Sequence, residues 1–162
     1  MMAYISFTKT EFPYGWLGNM FAAPITYQGQ IWLTSEALFQ ALRFEDLTIR
    51  EMIRNDKSPM GAKLVAKRKE YKTKRVVEPM AMEDIDNMRL CLRIKFDQHS
   101  ELREKLLKTG DHIIFEDVSA RNRARHKFWG AVKTDGKLDG NNMLGKLIME
   151  LREELKKSAA MQ

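Results

Sequence analysis

Apolar residues repeated at helical spacing constrain the fold of this 162-residue chain more than any other feature. Two long stretches, Glu83 to about Gln98 and Asn142 to about Leu155, have the 3.6-residue period of an amphipathic helix. The first apolar face comprises Ile85, Met88, Leu92 and Phe96, and the second comprises Leu144, Leu147, Ile148, Leu151 and Leu155. Shorter stretches predict helices over 36–44, 47–54 and 59–69, and between 100 and 110. The chain is therefore expected to be mostly helical.

Polar residues stand at the predicted helix starts, where they can accept hydrogen bonds from backbone N–H groups. These caps are Thr34 or Ser35, Ser58 followed by Pro59, Ser100, and Asn142 with Asn141 as the alternative. Gly110 is expected to end the helix that follows Ser100. The last residues, 156–162, are expected to fray.

Strand patterns are few and short. Residues 4–7 and 112–118 are predicted strands, and 25–27 with 30–32 predict a hairpin around Gln28-Gly29. After Trp129-Gly130 we predict a loop that contains three glycines, at 130, 136 and 140. Because strands and helices do not alternate, a doubly wound sheet is not indicated. The prediction is a single α+β domain over 1–162, predominantly helical with a few short strands.

Charge and cysteine content restrict the setting and the partner. The formal net charge of +6 and the sequence pI near 9.4 favour an anionic partner, although a solvated basic surface fits the same numbers. No apolar run approaches the length of a membrane span, and the N-terminus has no secretion signal. The single cysteine, Cys91, lies in an apolar helical pattern and is expected to be buried and inert. We expect a cytoplasmic protein that does not enter a membrane.

Several kinds of chemistry are not indicated. His99, His112 and His126 are scattered and Cys91 has no partner cysteine, so no metal site is predicted. The glycine patterns of dinucleotide and P-loop sites and the serine-hydrolase elbow are missing. No cofactor is expected.

The segment from Trp32 to Phe44 carries the most informative polar pattern. Glu36, Gln40 and Arg43 share one face of the predicted helix, and large aromatic residues flank them. Two interpretations fit this pattern. Glu36 is a catalytic carboxylate with polar neighbours, or it is an acid that complements the helix dipole on a solvated face.

Patterns near the C-terminus suit a phosphorylated, ring-containing ligand. The glycine-rich stretch 140–146 enters a helix and can present backbone N–H groups to a phosphate, although capped helix starts without a ligand are common. Trp129 can stack on a base or pack in the core. Four basic residues at alternate positions can bind phosphates or form a solvated loop, namely Arg121, Arg123, Arg125 and Lys127.

Taken together, four pieces of the sequence resemble the NADAR family of YbiA-like N-glycosidases. The pieces are 14–20, 32–44 around Glu36, Ser58-Pro59 with Ala62-Lys63, and Trp129-Gly130 followed by Gly140-x-Asn142-x-Leu144-Gly145 and 147–152. They occur in the family's order and span nearly the whole chain from Tyr14 onward. The resemblance implies the NADAR fold and an enzyme that cleaves the bond between ribose C1′ and a nitrogen.

The resemblance also implies roles for individual residues. Glu36 matches the family's catalytic glutamate. The candidates for substrate binding are Asn19, Gln40, Arg43, Lys63, Trp129, Gly130, Asn142 and Gly145. Where the family often has an acid, three residues before the Trp-Gly pair, this chain has His126. His126 is therefore the candidate proton donor, with Asp135 and Asp139 as alternatives. The chain also departs from the pattern at Gly18, where serine is usual, and at Arg43, where lysine is usual.

The predicted substrate is a phosphorylated ribosyl compound, either an ADP-ribosylated base or a ribosylamino-pyrimidine phosphate. An ADP-ribosylated nucleic acid is a further partner that the resemblance allows. The alternatives are a non-catalytic binder of ADP-ribose-like nucleotides and a nucleic-acid-binding protein, whose affinity would fall steeply with salt. We expect Glu36 to face a cleft shared with Trp129 and Asn142. We also expect an anion site at the Asn142 helix start, together with Lys63 or an arginine of 121–125.

Overall fold

The computed structural model describes residues 2–121 and 123–162; Met1, and Asn122 in the predicted basic loop, lie outside the described residues. The helices are α1 Ser35–Ala41, α2 Leu47–Asn55, α3 Pro59–Ala66, α4 Met82–Gln98, α5 Ser100–Lys108, α6 His126–Trp129 and α7 Met143–Ala160. The strands are β1 Tyr4–Phe7, β2 Ile25–Tyr27, β3 Gln30–Trp32, β4 Ile113–Glu116, β5 Val132–Thr134 and β6 Lys137–Asp139. Short 3-10 helices cover Gly15–Leu17 and Lys69–Lys74. The predicted α+β class, mostly helical with short strands, is confirmed.

The chain forms two compact units, Met1–Gly18 with His99–Gln162, and Asn19–Gln98. In the first unit, β1 pairs in parallel with β4, so that Ile5 lies opposite Ile114. Strand β4 lies against α7, and α5 and α6 also pack on α7. Phe7, Leu106, Ile114 and Ile148 are buried in this core. The prediction of a single domain over 1–162 stays a prediction.

In the second unit, α1 is the central element. It packs against α2, α3 and α4, and all seven of its residues are buried. The antiparallel β2–β3 hairpin packs through β2 on α4 and through β3 on α1. Because α1 is packed on three sides, most of its polar side-chain groups must find partners inside the unit.

Two hairpins turn on pairs of residues with positive φ. Gln28 and Gly29 have φ of 50° and 77°, and Asp135 and Gly136 have φ of 50° and 76°. Two-residue hairpin turns of this kind require left-handed backbone at both positions. The first hairpin was predicted. The second corrects the predicted loop after Trp129-Gly130, where residues 132–139 form β5 and β6.

The predicted caps of α1 and α3 are confirmed, and two others are wrong. Thr34 Oγ1 accepts from the Ala37 N–H, and Ser58 Oγ accepts from the Gly61 N–H, each at 3.2 Å. Ser100 is the first residue of α5, preceded by His99, which makes no side-chain cap. Asn142 precedes α7, but its φ is 49° and its side chain does not cap the helix. Its Nδ2 donates instead to Ile114 O at 2.9 Å.

The C-terminal helix extends further than predicted, since α7 continues to Ala160 rather than fraying from residue 156. Lys156 Nζ contacts Asp111 Oδ1 at 2.7 Å and Glu153 Oε1 at 3.0 Å. The first contact joins α7 to the residues before β4, and the second lies within the helix.

Helix α4 buries two charged residues beside its apolar face. Met88, Leu92 and Phe96 are buried as predicted, whereas Ile85 is only half-buried. Asp84 and Lys95 are both completely buried. Burial lowers the pKa of Lys95 to about 7, because it disfavours the charged ammonium.

Cys91 is buried on the same helix, as predicted. Burial, with the charges of Glu36 and Asp84, raises the pKa of its thiol above the ordinary range. In the described part of the chain, no helix combines the length and apolarity needed to cross a membrane.

Candidate active site

The polar face of α1 begins at Glu36, in the first helical turn. The Glu36 N–H donates to Asn19 O at 3.1 Å, so the backbone preceding the second unit's hairpin holds the start of the helix. The residue is 8% exposed. An acid placed only to complement a helix dipole has no need of this burial, which costs free energy unless the charge is hydrogen-bonded.

A series of side-chain hydrogen bonds runs along this face and past the end of α1. Gln40 Nε2 donates to Glu36 Oε1 at 2.9 Å, and Arg43 Nη1 donates to Gln40 Oε1 at 3.3 Å. Both ends of the Gln40 amide are therefore fixed. Glu36 Oε2 receives no hydrogen bond from residues 2–121 and 123–162. It is also not fully buried. One carboxylate oxygen is held while the other remains accessible.

These hydrogen bonds lead to a buried ion pair between Arg43, two residues beyond the end of α1, and Asp84 on α4. Arg43 Nε lies 2.9 Å from Asp84 Oδ1, and Arg43 Nη2 lies 2.8 Å from Asp84 Oδ2. The guanidinium also lies 4.8 Å from the centre of the Phe39 ring. The Met80 N–H donates to Asp84 Oδ2 at 2.8 Å. This two-pronged contact fixes the plane of the guanidinium and hence the direction of its remaining N–H groups.

The other two candidates in this unit differ from each other. The Asn19 side chain is buried: its Oδ1 accepts from Ser35 Oγ at 2.8 Å, and its Nδ2 donates to Met88 Sδ at 3.0 Å. The side chain of Lys63, on α3, is half-buried and makes no hydrogen bond or ion pair with the described residues. Asn19 therefore holds the start of α1, whereas Lys63 keeps its ammonium available.

The second group of candidates lies in the first unit and is held by backbone contacts. The Gly130 N–H donates to His126 O at 3.0 Å, and the Asn142 N–H donates to Gly130 O at 3.1 Å. A Cβ on Gly145 would lie 2.2 Å from Ile114 O and 2.4 Å from Asn142 Oδ1. Within this unit the structure brings together His126, Trp129, Gly130, Asn142 and Gly145.

Side chains in this second group are less enclosed than those of α1. His126 and Trp129 are half-buried, and the Trp129 ring meets Phe128 edge to face at 4.9 Å. Asn142 Oδ1 is buried without a hydrogen bond from the described residues. The start of α7 therefore has backbone N–H groups that the Asn142 side chain does not cap.

The alternative acids lie on the β5–β6 hairpin. Asp139 Oδ2 lies 2.5 Å from Lys127 Nζ, and Asp135 occupies the exposed turn. Arg121 lies 3.6 Å from Glu116, so part of the predicted phosphate-binding loop is paired with an acid. No group of three or more His, Cys, Asp or Glu side chains among the described residues is placed to hold a metal ion.

Sequence reasoning missed Asp84, the residue on α4 that binds Arg43. A pattern could have indicated it, because Asp84, Met88, Cys91 and Lys95 recur every three or four residues along one face of α4. Two charged residues on an otherwise apolar helical face need partners when they are buried. The substrate-binding roles given to Gln40 and Arg43, and the cleft expected to link Glu36 with Trp129 and Asn142, stay predictions.

Comparison with known proteins assigns the family. The model of the NADAR domain matches residues 6–156, so this chain belongs to the NADAR family. The solution structure of the Escherichia coli protein YbiA is similar in fold, with a TM-score of 0.82 and 37% sequence identity. That similarity covers 100% of this chain and 90% of the YbiA chain.

Relatives in three bacteria carry names that refer to activity or pathway. The Escherichia coli N-glycosidase YbiA is 38% identical over 151 residues, covering 93% of this chain and 88% of YbiA. An N-glycosidase of Nostoc punctiforme is 31% identical over 155 residues, covering 94% of this chain and 92% of that protein. A riboflavin biosynthesis protein of Vibrio vulnificus is 29% identical over 160 residues, covering 96% of this chain and 39% of that protein.

Proposed function

We propose that this chain is an N-glycosidase that hydrolyses the bond between ribose C1′ and a nitrogen in a phosphorylated ribosyl compound. The enzyme class follows from family membership and from two relatives, covered over most of their length, that are named N-glycosidases. The finer assignment of the substrate rests on the residues of this chain.

The observation that carries the proposal is the state of the Glu36 carboxylate. It is buried, its Oε1 is held by Gln40, and its Oε2 accepts nothing from the described residues. A reaction that develops positive charge needs a negative group whose position is fixed before the substrate arrives. Glu36 meets that requirement, and an acid on an open helical face would not.

The chemistry follows from the bond that breaks. As the C1′–N bond lengthens, its electron pair moves to the nitrogen and positive charge develops on the sugar. The Glu36 carboxylate stabilises that charge and takes one proton from the water whose oxygen bonds to C1′. The departing nitrogen receives a proton, for which His126 is our candidate. One water is consumed, and the products are the sugar with a C1′ hydroxyl and the released amine or base.

The phosphate preference of the proposal rests on charge and on the start of α7. The chain carries a formal net charge of +6, and α7 begins without a side-chain cap. Uncapped N–H groups at a helix start, together with the helix dipole, favour an anion. Lys63, whose ammonium is available, is the second candidate for the phosphate. The name of the Vibrio vulnificus relative is consistent with a ribosylamino-pyrimidine phosphate.

A substrate panel tests the proposal. The full chain is incubated with ribosylamino-pyrimidine phosphates, ADP-ribosylated bases and ADP-ribosylated oligonucleotides, and products are identified by mass spectrometry. We expect a free ribose phosphate or ADP-ribose from at least one class, with the matching amine or base. Tight binding of ADP-ribosyl compounds with no cleavage of any substrate would instead support a non-catalytic binder.

A further inference from the structure

Four polar side chains in the second unit form a continuous connection from the interior to the Glu36 carboxylate. The order is Asp84, Arg43, Gln40 and Glu36, and each is at most 8% exposed. Successive pairs are joined at 2.8, 3.3 and 2.9 Å. Glu36 and Gln40 lie on α1, four residues apart. Arg43 lies two residues beyond the last residue of α1, and Asp84 lies on α4.

From this connection we propose that Asp84 is a positioning residue for Glu36, acting through Arg43 and Gln40. This inference rests on the proposed catalytic role of Glu36. It also gives Gln40 and Arg43 a task inside the protein, namely orienting the carboxylate, in place of direct contact with substrate.

The geometry explains why Asp84 is needed. A Gln40 side chain alone has three rotatable bonds and can turn its amide in either sense. Arg43 donates to Gln40 Oε1, which leaves Gln40 Nε2 directed at Glu36. Arg43 can hold that direction because two of its nitrogens are fixed by Asp84. Asp84 is fixed in turn by the Met80 N–H.

The charge of Asp84 has a second effect on Arg43. The negative charge of Asp84 compensates the buried guanidinium of Arg43. Among the described residues Glu36 is the other buried acid, and Gln40 alone links it to Arg43. Without Asp84, Arg43 would be drawn toward Glu36. A direct Arg43–Glu36 pair would occupy the oxygen that the reaction requires. Asp84 therefore keeps Arg43 away from the catalytic carboxylate as well as orienting Gln40.

A double-mutant cycle on kcat tests the inference. Asp84→Asn retains an acceptor for the Met80 N–H but removes the charge, and Gln40→Met cuts the connection at its middle. We expect each to lower kcat by about tenfold or more while KM changes less than about threefold. Because both act through one connection, Asp84→Asn should have little further effect in the Gln40→Met background. Independent, multiplicative losses, or an unchanged kcat in Asp84→Asn, would overturn the proposal.

Controls separate positioning from folding. Glu83→Gln removes one negative charge from the same turn of α4, at an exposed side chain, and should leave kcat and KM unchanged. If Asp84→Asn does not fold, the double variant Arg43→Met/Asp84→Asn replaces the ion pair by two uncharged side chains. Proteins often tolerate such a replacement. That variant should fold and show the same loss of kcat. Failure of both to fold would assign Asp84 to stability alone and overturn the proposal.

An NMR measurement keeps the inference separate from the proposed function. The side-chain amide of Gln40, identified by its loss in Gln40→Met, should exchange slowly with solvent in the ligand-free wild type. In Asp84→Asn its exchange should become at least about tenfold faster, and in Glu83→Gln it should not change. If the wild type cleaves no substrate, the proposed function fails, yet this exchange rate still decides whether Asp84 holds Gln40. Equal exchange in Asp84→Asn and wild type would refute the positioning role.

Discussion

The two groups of candidate residues are held in different ways. On α1, Glu36 is placed by side chains, through Gln40, Arg43 and Asp84, and every member is buried. Around α6 and the start of α7, placement comes from the backbone, because Gly130 O accepts from the Asn142 N–H and His126 O accepts from the Gly130 N–H. Side-chain substitutions should therefore alter the first group without moving the main chain. In the second group, a larger residue in place of a glycine should displace the backbone and destabilise the fold.

Within the second group, the largest effect is expected at His126, the candidate proton donor. His126→Ala should lower kcat by about 10²-fold, with little change in KM, because the departing nitrogen loses its acid. Steady-state kinetics on a substrate found in the panel measure this. His112→Ala is the matched control, since His112 is an exposed histidine in the same unit. Wild-type kcat in His126→Ala would transfer the role to Asp135, Asp139 or a water.

Gly145→Ala tests whether backbone contact holds the second group. The new Cβ would lie 2.2 Å from Ile114 O and 2.4 Å from Asn142 Oδ1, so β4 or the helix start must shift. Alanine normally favours a helix over glycine. Here we expect a loss of about 1–3 kcal/mol in the free energy of unfolding, measured by urea denaturation. Lys146→Ala, at the exposed neighbour, should change it by less than about 0.5 kcal/mol. A stabilised Gly145→Ala would contradict the close approach.

Lys95 makes the stability of the α1–α4 region depend on pH. Burial lowers its folded pKa from 10.5 to about 7, so between these values the unfolded chain binds more protons than the folded one. Stability should therefore rise with pH above about 7, with a slope that approaches about 1.4 kcal/mol per pH unit for one group. Lys95→Met should abolish this rise, and Lys157→Met, at an exposed lysine, should keep it.

Chemical denaturation between pH 6 and about 9 measures the Lys95 contribution. Below about pH 7 it is constant, because both states are protonated. Above about pH 9 the raised pKa of the Cys91 thiol opposes it, because the unfolded thiol ionises first. The same rise with pH in Lys95→Met and wild type would show that Lys95 is not its source.

The smallest effect is expected at Asp139, which pairs with Lys127 on the surface. Exposed ion pairs contribute little, so Asp139→Asn should change the free energy of unfolding by less than about 1 kcal/mol. With His126 as proton donor, kcat should stay at the wild-type value. A kcat reduced about tenfold or more, with stability retained, would make Asp139 the better candidate for the acid.

The sequence predicted elements with strong local patterns and missed those fixed by contacts distant in sequence. The Gln28-Gly29 hairpin and the Thr34 and Ser58 caps could be predicted, because their backbone requirements lie within a few residues. The β5–β6 hairpin was also predictable in principle. Asp135-Gly136 is a favoured two-residue turn, but the three glycines nearby favour a loop over the same residues.

The side chain of Asn142 and the burial of Asp84 could not be predicted in the same way. Asn142 is a residue type that commonly caps helices. Its side-chain Nδ2 instead donates to Ile114 O, which is 28 residues away in sequence. Asp84 is buried because Arg43, which is 41 residues away, meets it. The family motifs identify the residues around Glu36. Asp84 could be identified only from the packing of α1 on α4.

If the Glu36 carboxylate performs the reaction, Glu36→Gln should remove most of the activity and leave the fold intact. The amide keeps the size of the side chain and removes the negative charge and the proton acceptor. Single-turnover kinetics should show a rate reduced by about 10²–10⁴-fold, with substrate affinity by calorimetry within about threefold of wild type. Glu101→Gln, in the exposed first turn of α5, controls for a dipole effect. A Glu36→Gln protein that cleaves substrate at the wild-type rate would show that the Glu36 carboxylate does not perform the reaction.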